Sequence, residues 1–186
     1  MLREWVLDSA FNQARAWYEE GRQVQIAINI SARQFLQPGF AESIARRLRE
    51  YDIPASLIEL ELTETSIMDN HQLASAVLVE LRALGGSLSI DDFGTGYSSL
   101  AYLSAFPVDK VKIDRSFVSQ MVDAPKQQAI VLTICQLAHN LGLKVIAEGV
   151  ETDVQRELLH QYGCDYLQGY LFARPVPASE AANLFN

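Results

Sequence analysis

Polar and charged residues stand near the ends of successive short apolar runs in this sequence. They are Asn29 in VQIAIN, Glu61 and Glu64 in LIELELTE, Asp91 and Asp92 in SLSIDD, Lys112 and Asp114 in VDKVKID, Glu148 and Glu151 in LKVIAEGVE, and Gln168 in DYLQGY. In a barrel of parallel strands, the C-terminal strand ends form the functional face, so these side chains would converge. Converging carboxylates repel one another unless a cation neutralises them, and oxygen ligands suit Mg²⁺, Mn²⁺ or Ca²⁺. The pattern therefore predicts a metal-dependent enzyme site.

The segment DDFGTGYSSL is the sharpest local motif. Asp91 and Asp92 end an apolar run, and Gly94 and Gly96 permit a tight turn directly after it. A dinucleotide-binding fingerprint is one interpretation, but Ser99 replaces its third glycine and two acids would crowd a phosphate. Adjacent acids at a strand end suit a metal site better, and an acidic strand–loop junction without a ligand is the simpler alternative.

Two further pairs of acids have different expected geometries. Glu61 and Glu64 are three residues apart, which places them on opposite faces of an extended strand. We therefore expect Glu61 to point inward and Glu64 to support the neighbouring loop. Gly149 allows the chain to turn immediately after Glu148, so that Glu148 faces the site and Glu151 lies behind it.

Lys112 is unusual because it lies between two apolar strand residues, and Lys110 shares its strand parity. A lysine that faces the inside of a barrel needs anionic partners, which the acids described above would supply. Lys112 is closer to the C-terminal end of its strand, where it could orient a nucleophilic water or contact a phosphate. The three histidines fall in helical segments without metal-ligand spacing and are interpreted as surface or packing residues.

Composition limits the classes of partner. The 186 residues carry a net charge of −8, which argues against a nucleic-acid polymer because phosphate backbones are bound by clustered Lys and Arg. A small phosphate ester remains possible if metal ions screen the acids. No apolar run approaches the ~20 residues of a membrane span. The two cysteines lack zinc-like spacing and suggest reduced structural residues of a cytoplasmic domain.

Helical segments alternate with six β-rich runs along the chain. This alternation predicts an α/β fold in which parallel strands are covered by outer helices, with Thr152 and Ser179 as helix N-caps. Either a barrel or a doubly wound sheet would fit. A (β/α)₈ barrel needs about 250 residues, so we expect an incomplete barrel of about six βα units. Without a linker-like stretch, residues 1–186 are predicted to form one domain.

The sequence resembles the EAL domain family along nearly its whole length. The matching segments occur in the family's order: NISARQF, ELTET, DDFGTGYSSL, PVDKVKID, AEGVET and LQGYLFARP. This resemblance implies a modified TIM barrel. It also implies a bacterial-signalling phosphodiesterase that hydrolyses cyclic di-GMP to linear pGpG with two Mg²⁺ or Mn²⁺ ions. Calcium ions are expected to inhibit such an enzyme because their bonds are longer and their geometry is looser.

The resemblance also assigns roles to individual positions. It implies that Asn29, Glu61 and Asp91 are metal ligands, and that Asp92 holds the second metal and its water. Lys112 would orient the hydrolytic water, and Glu148 would be a metal ligand or general base. The remaining matches, Glu64, Glu151 and Gln168, would anchor the DDFGTGYSSL loop or line the substrate site.

The Glu-Ala-Leu tripeptide that names the family does not occur in these residues. We therefore expect an N-terminally truncated domain with impaired activity, whose exposed sheet edges favour a homodimer. Contact between two chains through DDFGTGYSSL would also favour a homodimer. The parent protein is expected to be cytoplasmic or anchored to a membrane from elsewhere. A non-catalytic cyclic di-GMP receptor or protein-interaction module stays open, as does another metal-dependent enzyme, such as a lyase with Lys112 as base.

Overall fold

Six parallel strands form one sheet in the structure, a computed structural model that describes residues 2–68, 71–96 and 100–184. They are β1 (Ile26–Ile30), β2 (Ile58–Thr63), β3 (Ser87–Phe93), β4 (Lys110–Ile113), β5 (Lys144–Ala147) and β6 (Tyr166–Leu167). Each strand pairs with the next one along the chain, so their order in the sheet is their order in sequence. The sheet curves into a half-barrel, which confirms the predicted incomplete barrel of about six βα units.

Helices connect consecutive strands, as expected for right-handed βα crossovers. They are α1 (Leu2–Glu19), α2 (Ala32–Phe35), α3 (Phe40–Glu50), α4 (Glu64–Met68), α5 (His71–Ala83), α6 (Leu100–Leu103), α7 (Arg115–Gln120), α8 (Pro125–Asn140), α9 (Asp153–Gln161) and α10 (Ala178–Ala181). Two short 3₁₀ turns, Ala55–Leu57 and Ala182–Leu184, complete the described elements. Within the described ranges, every helix is too short or too polar to cross a membrane.

The two faces of the sheet differ in chemistry because successive strand residues point to opposite sides. One face is apolar and packs against the helices; Leu62, Ile90 and Val111 are fully buried there. The other face carries the polar side chains of the half-barrel interior. Among them, Lys110 and Glu59 form an ion pair, with Lys110 Nζ 2.5 Å from Glu59 Oε2. Lys110 lies two residues before Lys112 on the same face of β4.

The sixth strand is shorter than predicted, because only Tyr166 and Leu167 pair regularly with β5. The backbone nevertheless continues alongside β5: the Gln168 amide donates to Ala147 O at 2.8 Å, and the Val150 amide donates to Gln168 O at 3.0 Å. A Cβ at Gly169 would lie 2.1 Å from Val150 O, so only glycine permits this approach. The approach holds the end of β6 against the turn that follows β5.

The two predicted N-caps have different outcomes. Thr152 caps α9: its hydroxyl accepts from the Gln155 amide at 3.2 Å, and Gln155 Oε1 accepts from the Thr152 amide at 3.0 Å. This reciprocal pair is a capping box. The prediction for Ser179 is wrong, since it lies inside α10 and Pro177 occupies the N-cap position without a side-chain cap. Pro177 has non-helical backbone angles, φ −56° and ψ 151°, as is typical of an N-cap residue.

We predict that Thr152→Ala lowers the free energy of unfolding by about 0.5–2 kcal/mol, because the substitution leaves the backbone N–H of Gln155 without its partner. Ser179→Ala is the matched control and should change it by less than about 0.5 kcal/mol, the range of ordinary surface substitutions. Urea denaturation followed by circular dichroism measures both. Equal losses in the two variants would contradict this account of α9.

Candidate functional site

Lys112 lies at the centre of a cluster of carboxylates inside the half-barrel. Its side chain is nearly fully buried, and its Nζ lies 2.8 Å from Glu61 Oε2, 3.1 Å from Asp91 Oδ1 and 2.6 Å from Glu148 Oε1. Asp91 lies on β3, Glu61 lies on β2, and Glu148 directly follows β5. The expectation that an inward-facing lysine would find anionic partners is therefore met by three of them.

A β-bulge brings two adjacent aspartates to the same site. Strands β3 and β4 are in register at Ile90 opposite Val111 and again at Phe93 opposite Ile113. Two residues of β3, Asp91 and Asp92, therefore stand opposite Lys112 alone. Asp92 adopts φ 55°, a left-handed conformation that is rare outside glycine. In a regular strand the two carboxylates would point to opposite faces, and the bulge redirects one of them.

The two aspartates and Glu148 form an arrangement that suits a divalent cation. One oxygen from each of Asp91, Asp92 and Glu148 lies within 4.8 Å of the others. With Glu61, these groups place four carboxylates around a single ammonium, which leaves an excess of negative charge in the half-barrel. All the donor atoms are oxygens, the ligand type that Mg²⁺, Mn²⁺ and Ca²⁺ prefer. The chemistry of the cluster therefore fits the predicted metal ions.

Burial and mutual repulsion raise the pKa of three acids of the cluster, Glu61, Asp92 and Glu148. For Glu148, burial is the largest cause, and the charges of Asp91 and Asp92 add to it while Lys112 opposes it. The pKa of Glu61 is raised by burial in the same way. The pKa of Asp92 is also raised, by burial and then by Asp91. These acids hold protons more tightly than ordinary carboxylates, which favours a proton-accepting role at neutral pH.

Lys112 is held in its charged form. Burial alone would lower the pKa of its ammonium, but the hydrogen bonds to Glu148 and Glu61 outweigh burial and raise that pKa. A lysine that acts as a general base needs a lowered pKa. The geometry therefore argues against a lyase with Lys112 as base and favours an electrostatic role.

The predicted metal ligand Asn29 and the predicted loop anchor Glu64 lie outside the group of residues that pairs with Lys112. Asn29 stands on β1 in register with Glu61 of β2, and Asn29 is exposed. Glu64 is turned away: it begins α4, and its Oε2 accepts from the Gly94 amide at 3.0 Å. Glu64 thus contacts the loop after β3, as its spacing from Glu61 suggested. Residues 97–99 of the DDFGTGYSSL motif lie outside the described residues.

Glu151 and Gln168 line a cleft directly beside the cluster. This cleft has a volume of about 210 Å³, and Glu148 forms part of its wall. Two further side chains line it, Arg115 and Tyr170, which the sequence reasoning missed. Arg115 lies two residues after the end of β4, so extending the strand-end pattern by one residue beyond Asp114 would have indicated it.

The profile of the EAL domain family matches residues 1–175. Signaling protein YkoW of Bacillus subtilis is 46% identical over 179 residues, which cover 96% of this chain and 22% of YkoW. The bifunctional diguanylate cyclase/cyclic di-GMP phosphodiesterase MucR of Pseudomonas aeruginosa is 43% identical over 180 residues, which cover 96% of this chain and 26% of MucR. The chain thus spans about a quarter of the length of these relatives.

Solved structures show the same architecture. The cyclic di-GMP complex of the MucR phosphodiesterase superimposes with a TM-score of 0.94 at 42% identity, covering 97% of this chain and 73% of that one. A manganese/cyclic di-GMP complex of BlrP1 from Klebsiella pneumoniae gives a TM-score of 0.81 at 33% identity, covering 90% of this chain and 43% of that one. A calcium complex of the same protein matches equally well, with a TM-score of 0.81.

We predict that Lys112→Met lowers the free energy of unfolding by about 3–5 kcal/mol without metal ions, because it leaves buried carboxylates without their counter-charge. Saturating Mn²⁺ should raise the free energy of unfolding of this variant by more than it raises that of the wild type. Lys126→Met, at an exposed position of α8, is the control and should have little effect. Urea denaturation with and without Mn²⁺ measures all three proteins; a Lys112→Met variant as stable as the control in the absence of metal would contradict this role.

Proposed function

The chain belongs to the EAL domain family, and on that premise we propose that the protein containing it hydrolyses cyclic di-GMP to linear pGpG. The observation that carries this proposal is the cluster inside the half-barrel, in which Lys112 pairs with Glu61, Asp91 and Glu148. Asp92 lies beside the last two of these acids. The residual negative charge of the cluster would repel a phosphodiester unless divalent cations were present. The cluster therefore suits a metal-dependent reaction of a small phosphate ester.

Asp91, Asp92 and Glu148 would hold the metal ions, together with Glu61 and Asn29 at the margin of the cluster. Bound divalent ions would lower the pKa of a water and stabilise the charge of the phosphoryl transition state. We propose Mg²⁺ or Mn²⁺ for this role and a two-ion site, because the five residues provide more oxygen atoms than one octahedral ion can use.

The chain's own residues would then act on the water and the phosphate. Lys112 keeps its charge, and its ammonium, which also holds Glu61, Asp91 and Glu148 in place, would orient the attacking water. Glu148 has a raised pKa and lies beside Lys112, so its carboxylate can accept the proton that the water loses. Glu64 holds the loop that follows Asp91 and Asp92, and so maintains the bulge that directs both aspartates inward.

Location and assembly follow as further parts of the proposal. The substrate is an intracellular second messenger, so we place the domain in the cytoplasm. The described residues show no strand paired to the outer edge of β1, and unpaired edges invite association with another chain. The homodimer inferred from the sequence thus stays a prediction of this proposal.

We predict that the intact protein converts cyclic di-GMP to pGpG with Mg²⁺ or Mn²⁺ and is inhibited by Ca²⁺. Asp91→Asn and Glu148→Gln should each lower kcat at least about 100-fold, since weaker perturbations of a metal site already cost 10–100-fold. Glu157→Gln, on the exposed side of α9, should match the wild type. Chromatography of the products with each metal ion measures the rates.

If Asp91→Asn forms product at the same rate as the wild type, the proposed metal site is contradicted. Binding of cyclic di-GMP without any product, under every divalent metal tested, would instead identify the protein as a receptor and overturn the enzymatic proposal.

A further inference from the structure

The two cysteines of the sequence lie on neighbouring elements, although they are far apart along the chain. Cys135 lies on α8, and Cys164 lies in the turn between α9 and β6. Both are free thiols. Cys135 is fully buried in the core, whereas Cys164 is partly exposed. The sequence has no other cysteine, so any disulfide within these residues must join this pair.

Contacts with His139 hold the turn before β6 against α8. His139 lies one helical turn after Cys135, so the two side chains project from the same face of the helix. His139 Nε2 lies 2.9 Å from Asp165 Oδ2. A Cβ at Gly163 would lie 3.7 Å from His139 Cε1. Both chain neighbours of Cys164 therefore lie against the face of α8 that carries Cys135.

Hydrogen bonds fix the position of Cys164 itself. Its amide donates to Leu159 O at 3.0 Å, and its thiol donates to Tyr166 O at 3.3 Å and to Val145 O at 3.5 Å. The thiol also interacts directly with Cys135: hydrogen bonding between the two thiols lowers the pKa of Cys135 and raises the pKa of Cys164. The two sulfurs thus meet between α8 and the start of β6.

A pair of interacting thiols needs only a small movement to form a disulfide. The S–S bond is about 2.0 Å long, so the sulfurs must come closer than a hydrogen bond allows. Cys164 lies in a turn, and rotation of its side chain can bring its sulfur to Cys135 without breaking a hydrogen bond of α8. The partly exposed side of Cys164 gives a small oxidant access to the pair.

We propose that Cys135 and Cys164 form a reversible disulfide when the protein meets a peroxide, and that this bond links β6 to α8. The thiolate of the pair attacks one oxygen of hydrogen peroxide, the O–O bond breaks, and a sulfenic acid and water form. The other thiol then attacks the sulfenic sulfur, and a second water leaves as the S–S bond forms. Two thiols and one peroxide thus give one disulfide and two waters, with two electrons passing from sulfur to oxygen.

The disulfide would restrain the shortest strand of the described sheet. β6 pairs with β5 through Tyr166 and Leu167, and it lies at one end of the strand order. A link between distant residues also removes conformations from the unfolded chain, which stabilises the folded state. Disulfides in the cytoplasm are mostly transient and redox-sensing, because its thiol systems reduce them again. This inference goes beyond the proposed hydrolysis and does not depend on it.

The test treats the folded intact protein with hydrogen peroxide, alkylates the remaining thiols and digests the product with trypsin. The expected species joins the tryptic peptide 127–144, which contains Cys135, to the peptide that begins at Glu157 and contains Cys164. Mass spectrometry should find it two hydrogens lighter than the sum of the two peptides and absent after treatment with dithiothreitol. The Tm of the domain should rise by roughly 5–10 °C on oxidation, and amide exchange of β6 should slow.

Cys164→Ser is the matched control, because its hydroxyl can still donate to Tyr166 O. Under peroxide it should show neither the linked peptides nor the rise in Tm, and Cys135→Ala gives the same comparison if Cys164→Ser does not fold. Linked peptides that form only in urea-unfolded protein would overturn the proposal, because the sulfurs would then not meet in the native fold. Oxidation of Cys164 to a sulfinic acid without a link to Cys135 would also overturn it. A crosslink that lowers the Tm would refute the stabilising link between β6 and α8.

Discussion

The buried ammonium of Lys112 is the constraint on which the site depends. Removing a lysine and several carboxylates from water costs several kcal/mol per ion unless they are paired with good geometry. Here the lysine contacts Glu61, Asp91 and Glu148 at 2.6–3.1 Å, and these residues come from different strands or strand ends. The half-barrel can bury them because their strands are parallel and their C-terminal ends meet at one place.

The Lys112 cluster affects both the stability of the fold and the chemistry of the site. One positive charge cannot balance four carboxylates, so the protein folds with a site whose remaining charge favours a divalent cation. Burial raises the pKa of Glu148 and Glu61, while their hydrogen bonds keep Lys112 protonated. The raised pKa values favour proton acceptance by the acids, and the protonated lysine acts as a fixed charge. The proposed hydrolysis would use this division of roles.

Close backbone approaches then join this cluster to the cleft beside it. Gly149 lets α7 pack against the turn after β5, and Gly169 lets the end of β6 pack against Val150. Both contacts bring residues from different βα units to the wall that Glu148 shares. The charged groups of the cluster are paired with one another, and the cleft opens directly beside Glu148.

The repeating order of apolar runs and helical segments was sufficient to predict parallel strands and the strand-end positions of Asn29, Glu61, Asp91, Lys112 and Glu148. It left a barrel and a doubly wound sheet both open, and the chain length favoured an incomplete barrel. Those features depend on local periodicity and on the rule that parallel strands end at one edge. The bulge at Asp91 and Asp92, the position of Arg115 beside Gly149 and the uncapped start of α10 could not be predicted in this way. Each depends on how one segment packs against a distant one, and strand alternation taken alone would have placed Asp92 on the opposite face. Sequence therefore determined which chemical groups reach the site, and only tertiary packing decided how they face one another, because their directions are set by contacts between strands and helices that are far apart in the chain.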